Sequence, residues 1–130
     1  MPRPARRALV ALVVLAAGAA VAACGGAAPG TIPPLPSGVV AVDAKEYEFT
    51  PSTLTVGAGR VTFYVRNVGT VEHEFEIFKG DQVVDEVEGL VPGLAKNLVV
   101  TLEPGEYTFV CKLSGHDQLG MKGTLTVTGG

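Results

Sequence analysis

The sequence has no tryptophan, two cysteines, two histidines and two methionines in 130 residues. Charge is also scarce, at 18%, with a formal net charge of −3. So little charge, slightly acidic overall, excludes a nucleic-acid binder, and an apolar content of 47% excludes a disordered tail. The length allows one domain and hardly two. After residue 38 there is no apolar stripe of helical spacing and useful length, no repeat, and no pattern of a nucleophile with its base or of a substrate pocket. We therefore expect no enzyme here.

What is present begins with a leader. Residues 1–7 carry Arg3, Arg6 and Arg7 and no acid, and residues 8–23 are sixteen apolar or small residues. That is the build of a secretory signal, somewhat short for a membrane span of about 20 residues. It ends in Val21-Ala22-Ala23-Cys24-Gly25, which resembles a bacterial lipobox. That resemblance implies cleavage before Cys24, acylation of Cys24, and residence on the extracytoplasmic face of the cell membrane, in the periplasm or at the cell surface. Without the leader the net charge becomes −6, so a macromolecular partner that docks electrostatically is expected to be basic. Residues 25–38 are uncharged and rich in Gly and Pro, with Pro29, Pro33, Pro34 and Pro36 among them. They read as a tether reaching up to roughly 40 Å at about 3.1 Å per residue. The expected organisation is thus leader 1–23, tether 24–38 and domain 39–130.

Within the domain the period is two. Tyr47 alternates with Glu46 and Glu48 on the way to Phe49, and Val61, Phe63 and Val65 form one face. So do His73, Phe75 and Ile77, then Leu98, Val100 and Leu102, then Tyr107, Phe109 and Cys111, and finally Leu125 and Val127. Turn residues separate these runs, at Val56-Gly57-Ala58-Gly59, Asn67-Val68-Gly69, Lys79-Gly80-Asp81, Pro92-Gly93 and Glu103-Pro104-Gly105. Seven to nine short strands at this spacing predict an all-β sandwich or barrel. The acids Glu72, Glu74, Glu76, Asp81, Asp85, Glu86 and Glu88 read as a solvated strand face.

The chemistry converges on few residues. With Cys24 acylated, Cys111 is the one thiol left and has no partner for a disulfide. Taken singly, Cys111 reads as a buried inert thiol, His73 as a core histidine, His116 as a loop residue and Met121 as a gap filler. Taken together, the chain's two histidines, its free cysteine and a methionine fall in the order His73, Cys111, His116, Met121. The last three lie on one loop with Gly115, Gly120 and Gly123, which let the backbone turn back. Two imidazoles, a thiolate and a weak thioether are the donor set of a type 1 copper centre.

These residues resemble those of the cupredoxins, the family of plastocyanin, auracyanin and azurin. The likeness runs over residues 40–128. It is carried by the Phe49-to-Phe63 run, by Asn67-Val68-Gly69 followed by His73 and Phe75, and by Gly105-Glu106-Tyr107-Thr108-Phe109-Val110-Cys111 with its Cys-x4-His-x4-Met continuation. The resemblance implies a Greek-key β-sandwich, one type 1 copper on His73, Cys111, His116 and Met121, and one-electron transfer through the exposed edge of His116. It also implies a monomer that meets redox or metal-transport proteins of the envelope, with no nucleic acid involved. Two features depart from the common pattern. Glu72 and Glu74 flank the first histidine, where a carboxylate would be a further oxygen donor. The stretches 74–88 and 92–107 resemble the cupredoxin domain of bacterial iron-uptake lipoproteins. Those proteins commonly carry a large second, helical domain that has no counterpart in these 130 residues. Metal handling, of copper or iron, is accordingly the alternative function.

Overall fold

The computed structural model describes residues 32–130. The leader, Cys24 and most of the tether lie outside the described residues. Nine strands follow: β1 (Val40–Lys45), β2 (Glu48–Thr50), β3 (Thr53–Gly57), β4 (Gly59–Asn67), β5 (His73–Lys79), β6 (Gln82–Leu90), β7 (Ala95–Leu102), β8 (Gly105–Val110) and β9 (Lys122–Thr128). They form two sheets, ordered β2-β1-β4-β7 and β3-β9-β8-β5-β6. Two pairs are parallel, β1 with β4 and β3 with β9, and the other pairings are antiparallel. The chain changes sheets at β2 to β3, β3 to β4, β4 to β5, β6 to β7 and β7 to β8, so this is the expected β-sandwich.

The predicted inward faces are the buried ones. Phe63, Val65, Phe75, Ile77, Leu98, Val100, Leu102, Tyr107, Phe109, Cys111, Leu125 and Val127 all lie in the core between the sheets. Its centre is aromatic, with the Phe75 ring centroid 5.5 Å from that of Phe49, 5.7 Å from Phe63 and 5.2 Å from Phe109. Apolar burial of this kind is the main favourable term of folding.

Three expectations need correction. Tyr47 does not share the face of Phe49. Residues 46 and 47 form the turn between β1 and β2, where alternation no longer applies, and Tyr47 is 39% exposed while Phe49 is buried. Gly123 is not a turning point of the loop but a residue of β9. A Cβ there would collide with the Phe109 ring and the Ser52 carbonyl, so its lack of a side chain serves close packing. The acid run is not uniformly solvated either. Glu76 is buried and faces Glu86 directly across the β5–β6 pair. Burial first, then the charges of Glu86 and Glu74, push its carboxyl above the usual range.

The end of the tether is held against the domain. Arg66 binds Asp43 through two bonds, Nε to Oδ1 at 2.6 Å and Nη2 to Oδ2 at 2.8 Å, and its Nη1 donates to the Pro33 carbonyl at 3.0 Å. The forked guanidinium suits this double use.

Candidate metal centre

Three connections meet at one pole of the sandwich: the 46–47 turn, the loop from Asn67 to His73, and the loop from Cys111 to Met121. Asn67 shapes the second. Fully buried, it donates Nδ2 to the carbonyls of Val71 and Leu90, each at 2.7 Å, and accepts from the Gly69 N–H at 2.9 Å. This delivers His73 to the start of β5 with its ring inward and no exposed surface. The third loop is a tight excursion containing a 3₁₀ turn at Leu113–Gly115. It is closed by backbone bonds from Cys111 N to the Met121 carbonyl (3.1 Å) and from Met121 N to the His116 carbonyl (3.0 Å). Lys112 and Asp117 add a 3.0 Å ion pair across it.

The result brings the predicted residues together. One donor atom each from His73, Cys111 and His116 lies within 4.8 Å of the others, and all three residues are buried. Cys111 Sγ sits 3.3 Å from His116 Nδ1 and accepts the Glu74 backbone N–H at 3.3 Å. Met121 is fully buried, with its backbone bonded to both Cys111 and His116. Neither Glu72 nor Glu74 belongs to this donor set; Glu72 is exposed, and Glu74 alternates with the inward His73 and Phe75. Glu74 contributes its N–H instead of its carboxylate.

A residue that the sequence reading passed over completes the site. Glu46 Oε1 accepts the N–H groups of Thr70 (2.5 Å) and Val71 (3.0 Å) and lies 3.3 Å from His73 Nε2. A side chain at Gly69 would collide with this carboxylate, so Gly69 is there for room and not only for a turn. These backbone bonds, Val71 foremost, lower the Glu46 pKa from 4.5 to about 2. With Nε2–H facing Oε1, the lone pair of His73 is on Nδ1. That atom is buried without a hydrogen-bond partner, an arrangement that costs about 1–3 kcal/mol if nothing else engages it.

Burial sets the charge state of the donors before any metal binds. Burial above all pushes His73 toward its neutral, ligating form, and burial likewise raises the Cys111 thiol. Loading a metal must therefore displace the thiol proton, and affinity should rise with pH. The chemistry of the donors, two imidazoles and a thiolate with a thioether on the same loop, fits copper.

His116 is not the exposed port that the resemblance implies. It is 8% exposed, because the Tyr47 ring stands against it with centroids 4.8 Å apart and planes at 61°.

The Glu46 clamp yields a prediction. A carboxyl with a lowered folded-state pKa stabilises the fold above its unfolded value of 4.5, and that contribution is lost as pH falls toward about 2. Denaturant midpoints measured across this range should fall more steeply in the wild type than in Glu46→Gln, and parallel curves would refute the clamp.

Comparison with known proteins places these observations among relatives. A family model described as a cupredoxin-like domain matches residues 8–127. The iron uptake system component EfeO of Yersinia pseudotuberculosis is 41% identical over 96 residues, which is 74% of this chain and 24% of that protein. The chain thus spans about a quarter of the length of the curated relatives it matches. Among solved structures, dithionite-reduced auracyanin from Roseiflexus castenholzii aligns with a TM-score of 0.65 at 22% identity, covering 69% of this chain and 96% of that one. Auracyanin A, a "blue" copper protein of Chloroflexus aurantiacus, aligns with a TM-score of 0.62 at 21% identity, covering 69% and 98%.

Proposed function

The chain belongs to the cupredoxin-like domain family, and from that premise we propose that it is a membrane-anchored, extracytoplasmic carrier of single electrons with one type 1 copper. The observation that carries this reading is the buried His73–Cys111–His116 cluster, in which His73 Nδ1 is left without a partner. Copper held there would supply one-electron chemistry, since soft sulfur donors can hold Cu(I) and imidazoles serve both oxidation states. The protein's part is to hold the donors still. Glu46 fixes the His73 tautomer, the Glu74 N–H supports the Cys111 sulfur, and the backbone bonds of the third loop lock Cys111, His116 and Met121 into one unit. On this reading the protein is a carrier and not an enzyme. It works as a monomer, and its acidic surface suits basic proteins of the envelope. Anchoring rests on Cys24; if wild type and Cys24→Ala both stay in the aqueous phase on detergent phase separation, the anchor is refuted.

The deciding experiment is an absorption spectrum of the purified chain with one equivalent of Cu(II), followed by reductant. We expect an intense thiolate-to-copper band that bleaches and returns with the metal retained. A colourless, folded protein rejects electron transfer. The likeness to EfeO supports a second reading, a module that binds copper or iron for an uptake system. Stronger binding of Fe(III) than of Cu(II) would favour it.

Met121 offers a finer test. As a weak axial donor it would favour Cu(II) more than Cu(I), so Met121→Leu should keep the colour and raise the reduction potential. The expected rise is roughly 40–90 mV, at about 59 mV per tenfold change in the equilibrium. Cyclic voltammetry of both proteins checks this, and an unchanged or lower potential would leave Met121 as packing only.

A further inference from the structure

We propose that Tyr47 is the cover of the metal centre: its ring shields His116 from small external ligands and is itself the surface that outside molecules meet. This deepens the reading of His73, Cys111 and His116 as a metal site and rests on it.

Three observations carry the inference. First, His116 lies on a surface loop whose next apolar residue, Leu119, is 62% exposed, yet His116 itself is 8% exposed. A loop imidazole so well hidden needs something over it, and Tyr47 is that group, edge-on to the ring at 4.8 Å. The three rings continue inward in sequence, since His116 and His73 are 5.3 Å apart at the same 61° inclination. Second, the turn that carries Tyr47 is pinned in place. Its neighbour Glu46 is held by Thr70, Val71 and His73, so the same turn grips one histidine and covers the other. Third, the tyrosine hydroxyl makes no hydrogen bond among the described residues, while 39% of the residue's surface is open to solvent. The aromatic body does the covering and the hydroxyl is dispensable. A metal site takes exogenous ligands when a coordination position is open to solvent; a ring across the approach withholds that position.

The experiment uses the full chain without metal, treated with diethyl pyrocarbonate at pH 7, with carbethoxylation of each histidine followed by mass spectrometry. Fully buried His73 is the internal reference. In the wild type both histidines should react slowly. In Tyr47→Ala, His116 should react severalfold faster while His73 stays protected, and Tyr47→Phe should behave as the wild type. Equal reactivity of His116 in wild type and Tyr47→Ala overturns the proposal. So does a joint rise at both histidines, which would make Tyr47 a structural prop and not a cover. A second arm loads copper and titrates imidazole against the visible spectrum, where only Tyr47→Ala should change. Failure of the wild type to load copper sinks the copper reading, yet leaves the carbethoxylation arm to decide on the cover.

Discussion

Replacing Cys111 by serine should abolish the visible band altogether while leaving the sandwich folded. The thiolate is the group that donates charge to copper in a type 1 site, and a hydroxyl does not replace it. The fold should survive because the core does not run through the metal. Nineteen apolar side chains pack between the sheets, and the exchange alters one small side chain at their edge. Cys111 Sγ accepts the Glu74 backbone N–H at 3.3 Å, and a serine oxygen also accepts. We expect far-UV circular dichroism to match the wild type and the cost in apo stability to stay within about 1–2 kcal/mol. Copper affinity should fall sharply, since a soft ligand is gone. A variant that keeps the wild-type band would remove Cys111 from the site, and a variant that unfolds would show that the pole of the sandwich depends on this residue far more than its contacts indicate.

The largest effect on stability is expected at Phe75. Its side chain is fully buried and touches the rings of Phe49, Phe63 and Phe109, so truncation opens a cavity where both sheets meet. Phe75→Ala should cost about 3–5 kcal/mol. Against a total of about 5–15 kcal/mol, that can leave the domain barely folded. The effect reaches the site too, because Phe75 lies two residues from His73 on β5 and anchors the strand that carries Glu74 against Cys111. Urea unfolding should show a lower midpoint with an unchanged slope, and a loss under 1 kcal/mol would mean that the aromatic centre collapses into the gap.

Why the sandwich was legible, and part of the site was not, follows from how each is encoded. Strand faces are written with period two, so Val61, Phe63 and Val65, or Tyr107, Phe109 and Cys111, disclose the core from sequence alone. His73, Cys111, His116 and Met121 were legible because such residues are rare in this chain and occur in a telling order. Glu46 and Tyr47 were not. A carboxylate amid alternating polar residues reads as a solvated strand position, and nothing local says that the chain turns there. Their roles arise from the meeting of residues more than twenty positions apart: Glu46 with Val71 and His73, Tyr47 with His116. The sole hint is Gly69, which looks like ordinary turn punctuation until the carboxylate beside it is seen. In the same way, the acids of β5 and β6 looked alike in sequence, and only the register sets Glu76 against Glu86 under cover.

The bond from Arg66 to the Pro33 carbonyl bears on how far the domain can range. A leash acts only over the links that are free to move. For a chain held at residue 24, docking at Pro33 takes residues 33–38 out of the reach. At about 3.1 Å per residue those six residues would take roughly 19 Å off the roughly 40 Å that the whole stretch 25–38 would allow. Such a domain patrols a thin layer above its anchor. On the proposed reading, an anchored carrier of this kind would meet neighbours in the same membrane far more readily than a partner across a wide gap, and losing one guanidinium would lengthen its radius of search.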